Sequence, residues 1–235
     1  MAMARKISRQ VWLLALLVGM EIVNPLLAME TLGARILSTA LFIGVSVAVL
    51  SAVLRTKHQR YLGATLAGAG IALEIARNLV AGEHQMAFDV MKSLFVAAFF
   101  LFVLSVILRE LFSSRRIGFN DVVGAFSGYI LIALVWGRLY TLVWLLVPRS
   151  FSINPEIKWQ LANWHTLHTL FDYYSLTTLA TVGYGDITTT APASNNLVWL
   201  EVMCGQFYLA VVVATIVGIK ISQALAAPGD DTGRS

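Results

Sequence analysis

Of the 235 residues, 58% are hydrophobic and only 13% are charged, too little charge to clothe a soluble domain of this length, so lipid is the expected solvent. The net charge of +4 is spread between apolar runs instead of gathered with interleaved aromatics, which argues against nucleic acid as a partner. A single cysteine, Cys204, excludes an intrachain disulfide and a thiolate zinc cluster.

The chain opens with Arg5, Lys6 and Arg9 ahead of a first apolar run at 11–29. That run is too long for a signal-peptide core and no small-x-small cleavage pattern stands out, so it is expected to remain as a helix. Further runs follow at 32–54, 61–80, 88–108, 122–147 and 195–222. Each is long enough for a bilayer core of about 30 Å, which takes about 20 apolar residues as helix. Glu21, Asn24, Glu74, Arg77 and Asn78 are the polar interruptions of the first three runs. Glu74 and Arg77, one turn apart, are expected to pair locally, as buried packing more than as a switch. Gly63, Ala64, Ala67, Gly68 and Gly70 invite close helix contact in a membrane. The fourth run carries Lys92 alone as a basic residue near its outer end. Arg55, Lys57 and Arg60 join runs two and three, and Arg109, Arg115 and Arg116 join four and five. The positive-inside bias therefore puts both termini and these joints in the cytoplasm. A shorter apolar run at 166–180 cannot span and reads as a re-entrant helix buried in protein. The loop before it carries Trp159 and Trp164, which suit a membrane interface.

That short run ends in Thr178-Leu179-Ala180-Thr181-Val182-Gly183-Tyr184-Gly185-Asp186. Glycines at alternate positions admit left-handed backbone angles, so successive carbonyls can face one side. A row of carbonyls on a common axis replaces the water around a bare cation. The carbonyls of Thr181, Val182, Gly183 and Tyr184, with the Thr181 hydroxyl, are the expected coordinating set. The segment resembles the potassium-channel signature Thr-x-x-Thr-x-Gly-Tyr-Gly-Asp at every fixed position, and residues 121–222 resemble the pore domain of that family. The resemblance implies an all-α membrane protein of six transmembrane helices plus a re-entrant pore helix and selectivity filter. One filter segment per chain implies a homotetramer.

The resemblance extends to neighbouring positions. Tyr173 and Tyr174 stand where the family carries a pair of aromatics behind the filter, expected as a cuff around Tyr184, and Thr177, Thr178, Gly185 and Asp186 complete the filter support. Thr177 occupies a place where some relatives carry a carboxylate. Asp186 would form a ring of carboxylates at the outer mouth. Gly205 matches the spacing of the family's inner-helix hinge, close helix packing being the other use of a mid-helix glycine. Gln206 is expected in a watery cavity, since a buried amide without partners is expensive. Glu201 is an intramembrane acid and so a functional candidate. Helix counting puts Arg138 at similar depth, giving an expected Arg138–Glu201 strut. His165 and His168 share a helical face, but lack the companions a metal site needs.

The expected organisation is 1–110 as four peripheral helices, 111–120 as a short linker that favours packing on the chain's own pore, 121–222 as the pore domain, and 223–235 as a tail too short for a ligand-binding module. Four helices before a pore resemble voltage-gated channels, which sense voltage through repeated arginines on the fourth helix. With Lys92 alone, steep voltage gating is not expected. The expected function is passive, potassium-selective conduction across the plasma membrane by a homotetramer in the lipid bilayer. Potassium is the permeant ion, with no organic cofactor, no resident metal and no enzyme chemistry. A non-conducting scaffold or sensor with a channel-like fold and a weakly selective cation channel are the alternatives. A transporter subunit fits less well, because such filters usually keep one glycine and recur within a chain.

Overall fold

The computed structural model describes residues 2–26, 32–79, 85–114, 116–158 and 164–225. Among these, the elements are α1 (Ala2–Leu26), α2 (Leu32–Ala52), α3 (Lys57–Leu79), α4 (Gln85–Ser113), α5 (Phe119–Leu146), β1 (Phe151–Ile153), α6 (Trp164–Leu179), β2 (Ile187–Thr189) and α7 (Pro192–Leu225). Each predicted apolar run overlaps a helix; α4 and α7 extend past both ends of their runs, α1 begins well before its run, and α2 ends just short of its own. Three helices, α4, α5 and α7, are long and apolar enough to cross a membrane, whereas α1 and α2 hold shorter apolar stretches, Gln10–Pro25 and Ile36–Ala52. The 16 residues of α6 reach about 24 Å, short of a bilayer core.

Local chemistry sets the joints. Thr56 and Gln59 form a reciprocal cap at the start of α3: Gln59 N–H donates to Thr56 Oγ1 at 3.2 Å, and Gln59 Oε1 accepts from the Thr56 N–H at 3.1 Å. Before α5, the Gly118 N–H donates to Asp121 Oδ2 at 2.8 Å, which satisfies a donor at the turn into the helix. Pro192 opens α7, where its missing N–H costs nothing.

The all-α expectation needs one amendment. β1 and β2 pair antiparallel, Phe151 opposite Thr189 and Ile153 opposite Ile187. Three-residue strands separated by a helix carry no periodicity that a sequence reading can detect. Their pairing ties the loop after α5 to the exit of the signature segment.

α4 lies along α5 and is backed by α3, while α1 packs on α2, α5 and α6. α6 is thereby enclosed by α1, α5 and α7 of the same chain. The main core joins Leu13 and Leu17 of α1, Val45 and Val49 of α2, Phe99, Phe100 and Val103 of α4, and Leu131 and Leu134 of α5. A second cluster, mostly aromatic, gathers Tyr140, Phe151, Phe171, Tyr174 and Ile187 around α6. Of the small residues on α3, Gly63 lies against Leu54 and Leu50, and Gly70 against Val96 of α4, while Gly68 faces open space.

Candidate functional site

The signature segment leaves the C-terminus of α6 and reverses against it. The N–H of Thr181 donates to the Thr178 carbonyl at 2.9 Å, and those of Val182 and Gly183 donate to the Thr177 carbonyl at 2.8 and 3.4 Å. These bonds occupy acceptors that a helix end leaves open. Left-handed backbone then recurs at alternate residues: φ is 58° at Thr181, 54° at Gly183 and 78° at Gly185. Glycine adopts these angles freely. Thr181 does so at a cost of order 1–3 kcal/mol, of the kind that surrounding structure must hold in place. Among the described residues no hydrogen-bond donor reaches the carbonyls of Thr181, Val182, Gly183 or Tyr184. All four residues are exposed in the single chain. The rule that carbonyls find partners holds for buried ones; these four are open to solvent in succession in the single chain.

Behind the segment, the two tyrosines divide their work. Tyr173 stacks on Tyr184, ring centroids 6.4 Å apart and planes within 7°, and its hydroxyl donates to Asp186 Oδ2 at 2.7 Å. Tyr174 is buried instead in the aromatic cluster, edge-on to Tyr140 at 5.0 Å. Of the two rings expected as a cuff around Tyr184, within the single chain Tyr173 lies on Tyr184 and Tyr174 packs in the core. Consecutive residues on a helix point about 100° apart and cannot both face one loop. Thr177 donates through Oγ1 to the Tyr174 carbonyl at 3.0 Å, and Thr178 is buried beneath the turn. Asp186 Oδ1 accepts the Ile187 N–H at 3.0 Å, and the Asp186 carbonyl accepts the Asn154 N–H at 2.8 Å. Asp186 is therefore anchored on both sides, by α6 and by the β1–β2 pair.

The Arg138–Glu201 strut is not the pairing that the fold makes. Arg138 forms an ion pair with Asp172 of α6. Glu201, fully buried, accepts hydrogen bonds from Tyr140 of α5 and Ser175 of α6. The similar depths are beside the point, because α6 is wedged beside both helices and presents its own partner to each. Gly137 permits this approach: a Cβ there would meet the Asp172 Cα at 3.0 Å and N at 3.2 Å. Asp172 was the missed residue. Its signal was present, an acid within a segment read as buried at membrane depth.

Gly205 sits under the end of α6, where a Cβ would meet Leu179 Cδ1 at 2.6 Å and its carbonyl oxygen at 3.1 Å. The helix is continuous through this point, and the contact with Leu179 is the packing use of the glycine. Gln206 is exposed on α7 among apolar neighbours such as Phe207. On the other side of the fold, Glu74 pairs with Lys92 of α4, while the side chain of Arg77 lies outside the described residues. His168 is buried. The side chains of His165 and Trp164, and all of Trp159, lie outside the described residues. Among the described residues no group of three or more His, Cys, Asp or Glu is placed to hold a metal.

Comparison with known proteins bears on the second half of the chain. No curated protein and no solved structure matches the chain. Residues 129–222 match a family model described as ion channel, a stretch that runs from within α5 through α6 and the signature segment to near the end of α7. With its apolar helices, this half of the molecule is similar to the ion channel family, which supports ion transport by a membrane protein.

Proposed function

We propose that the protein is a potassium-selective channel in which four copies of the 178–186 segment surround one axis. The observation that carries this reading is the alternation of left-handed residues at Thr181, Gly183 and Gly185 beside four successive carbonyls without donors. Such alternation turns successive peptide planes to one side, and donor-free carbonyls are what a dehydrated cation requires. The Tyr173–Asp186 hydrogen bond and the β1–β2 pairing support the reading, because both fix the segment from behind.

One chain supplies a quarter of such a cage. α7 exposes Phe207, Val213 and Ile221, each more than half accessible, and this apolar surface suits neighbouring copies and lipid. In this reading α1, α2 and α3 also cross the membrane, making six spans around a re-entrant α6. Both termini face the cytoplasm of a plasma-membrane protein. The packing of α1 and α4 on α5 of their own chain favours a non-swapped tetramer. Permeation is passive, so potassium is the cargo and no organic cofactor is involved.

Purified protein in potassium-loaded liposomes is the direct test. The wild type should dissipate the gradient with barium-sensitive flux and a strong preference for potassium over sodium. Gly183→Ala should abolish flux while the tetramer persists, because alanine resists φ near 54°. Selective flux through Gly183→Ala would overturn the assignment.

A further inference from the structure

Where α1 meets α5 and α6, two carboxylates share one guanidinium. Glu21 of α1 lies within electrostatic reach of both Asp172 and Arg138, and Arg138 is already committed to Asp172. Among the described residues, no second ion pair answers the other carboxylate. Four polar atoms here are sealed from solvent without a hydrogen-bond partner: Glu21 Oε1, Asn24 Oδ1, Arg138 Nε and Asp172 Oδ1. Arg138 is 5% exposed and Asp172 2%, so neither atom is simply facing water. Three of the four are acceptor oxygens, and Glu21 and Asn24 stand one turn apart on a single face of α1.

Beside them lies a cavity of about 60 Å³, room for several waters or a partly hydrated ion. Asn24, Ser38, Thr39, Arg138, His168 and Asp172 are among its lining residues. Glu74 and Lys92 also line it and are paired with each other. The described part of α2 contributes hydroxyls and no titratable group, and the side chains of Arg35 and Arg77 lie outside the described residues. Glu21 is half-buried in the single chain, and its sealed Oε1 beside a second carboxylate favours neutralisation or the approach of a cation.

We propose that this seam is a binding site for one unit of positive charge. The charge arrives as a proton on Glu21 or as an alkali cation held by the oxygens of Glu21, Asn24 and Asp172. Occupancy relieves Asp172 of a second carboxylate and leaves it wholly to Arg138. Asp172 directly precedes Tyr173, which holds Asp186, so the occupied site steadies α6 behind the signature segment. That consequence for conduction rests on the proposed channel function; the binding itself does not.

Thermal unfolding of the purified protein in detergent tests binding without flux. A ligand bound only by the folded state raises its stability. In sodium-free choline buffer, wild-type Tm should fall by about 3 °C or more between acid and mildly alkaline pH, a shift resolvable for a chain of this size. Glu21→Gln should remove that component. Restoration of the alkaline Tm by sodium identifies an alkali cation, and indifference to sodium identifies the proton. Equal pH and sodium responses in wild type and Glu21→Gln would overturn the proposal. If Glu21→Gln fails to fold, infrared spectra of the wild type decide. A buried carboxylic C=O band, or its replacement by a sodium-dependent carboxylate band, supports the site, and absence of both overturns it. A protein that binds as expected but carries no potassium would refute the channel reading alone.

Discussion

Thr181 holds a left-handed φ of 58° that a β-branched side chain resists, and the hydrogen bonds from Thr181, Val182 and Gly183 into the end of α6 are what hold it there. Single groups behind the segment should therefore have effects out of proportion to their size. Tyr173→Phe keeps the stack on Tyr184 and deletes only the hydroxyl that reaches Asp186. We expect it to cost about 1 kcal/mol of stability and to raise sodium permeation, read as a shift in reversal potential under bi-ionic conditions. Unchanged selectivity would show that the bond does not hold the segment. Gly205→Ala forces a methyl against Leu179, whose backbone oxygen cannot move aside cheaply. Overpacking of this kind costs about 1–3 kcal/mol, and a lowered Tm with intact helicity would report it. A hinge reading predicts altered gating with Tm preserved, so the two are separable.

At the scale of elements, α6 is the piece on which the molecule turns. It is too short to span, and polar pairs to α5 and α7 hold it: Arg138 with Asp172, and Glu201 with Ser175 and Tyr140. Removing one partner of a buried pair strands the other, at a cost of about 3–5 kcal/mol. Arg138→Leu should therefore abolish folded protein or lower Tm sharply. Arg138→Met combined with Asp172→Leu should recover much of the loss, since neither charge is then stranded. Reversing Arg138 together with Glu201 should rescue nothing, because these side chains belong to different pairs. Size-exclusion profiles and melting curves of these three variants would distinguish the pairings.

For the whole molecule, the seam between the first four helices and α5–α7 decides what those helices do. α4 carries Lys92, bound to Glu74, and no repeated arginine row. A unit charge crossing the full field contributes about 2.3 kcal/mol per 100 mV, so even complete movement of Lys92 in each of four chains gives a shallow response. Conductance measured from strongly negative to strongly positive voltage should vary weakly, and Lys92→Gln should leave its steepness unchanged. A steep, Lys92-dependent curve would contradict this. Native mass spectrometry should find four copies, with the exposed face of α7 protected from labelling in the assembly.

The run lengths, the breaks between them and the signature at 178–186 are one-dimensional facts, because hydropathy and glycine spacing act through the local backbone. They were enough to place the seven helices of the described residues closely, save that α1 begins at Ala2 and not at Val11, and to single out Thr181, Val182, Gly183 and Tyr184 as the expected coordinating set. What lay beyond the sequence was every choice made between elements. Counting along helices gives depth but no azimuth, so it matched Arg138 to Glu201 and passed over Asp172, the neighbour that actually faces the guanidinium. The same lack of azimuth hid the separation of Tyr173 from Tyr174 and left Gly205 open between hinge and packing, while β1 and β2 were too short to show a period. Only the tertiary structure, by wedging α6 between α1, α5 and α7, decides which buried charge meets which and which of them is left without a partner.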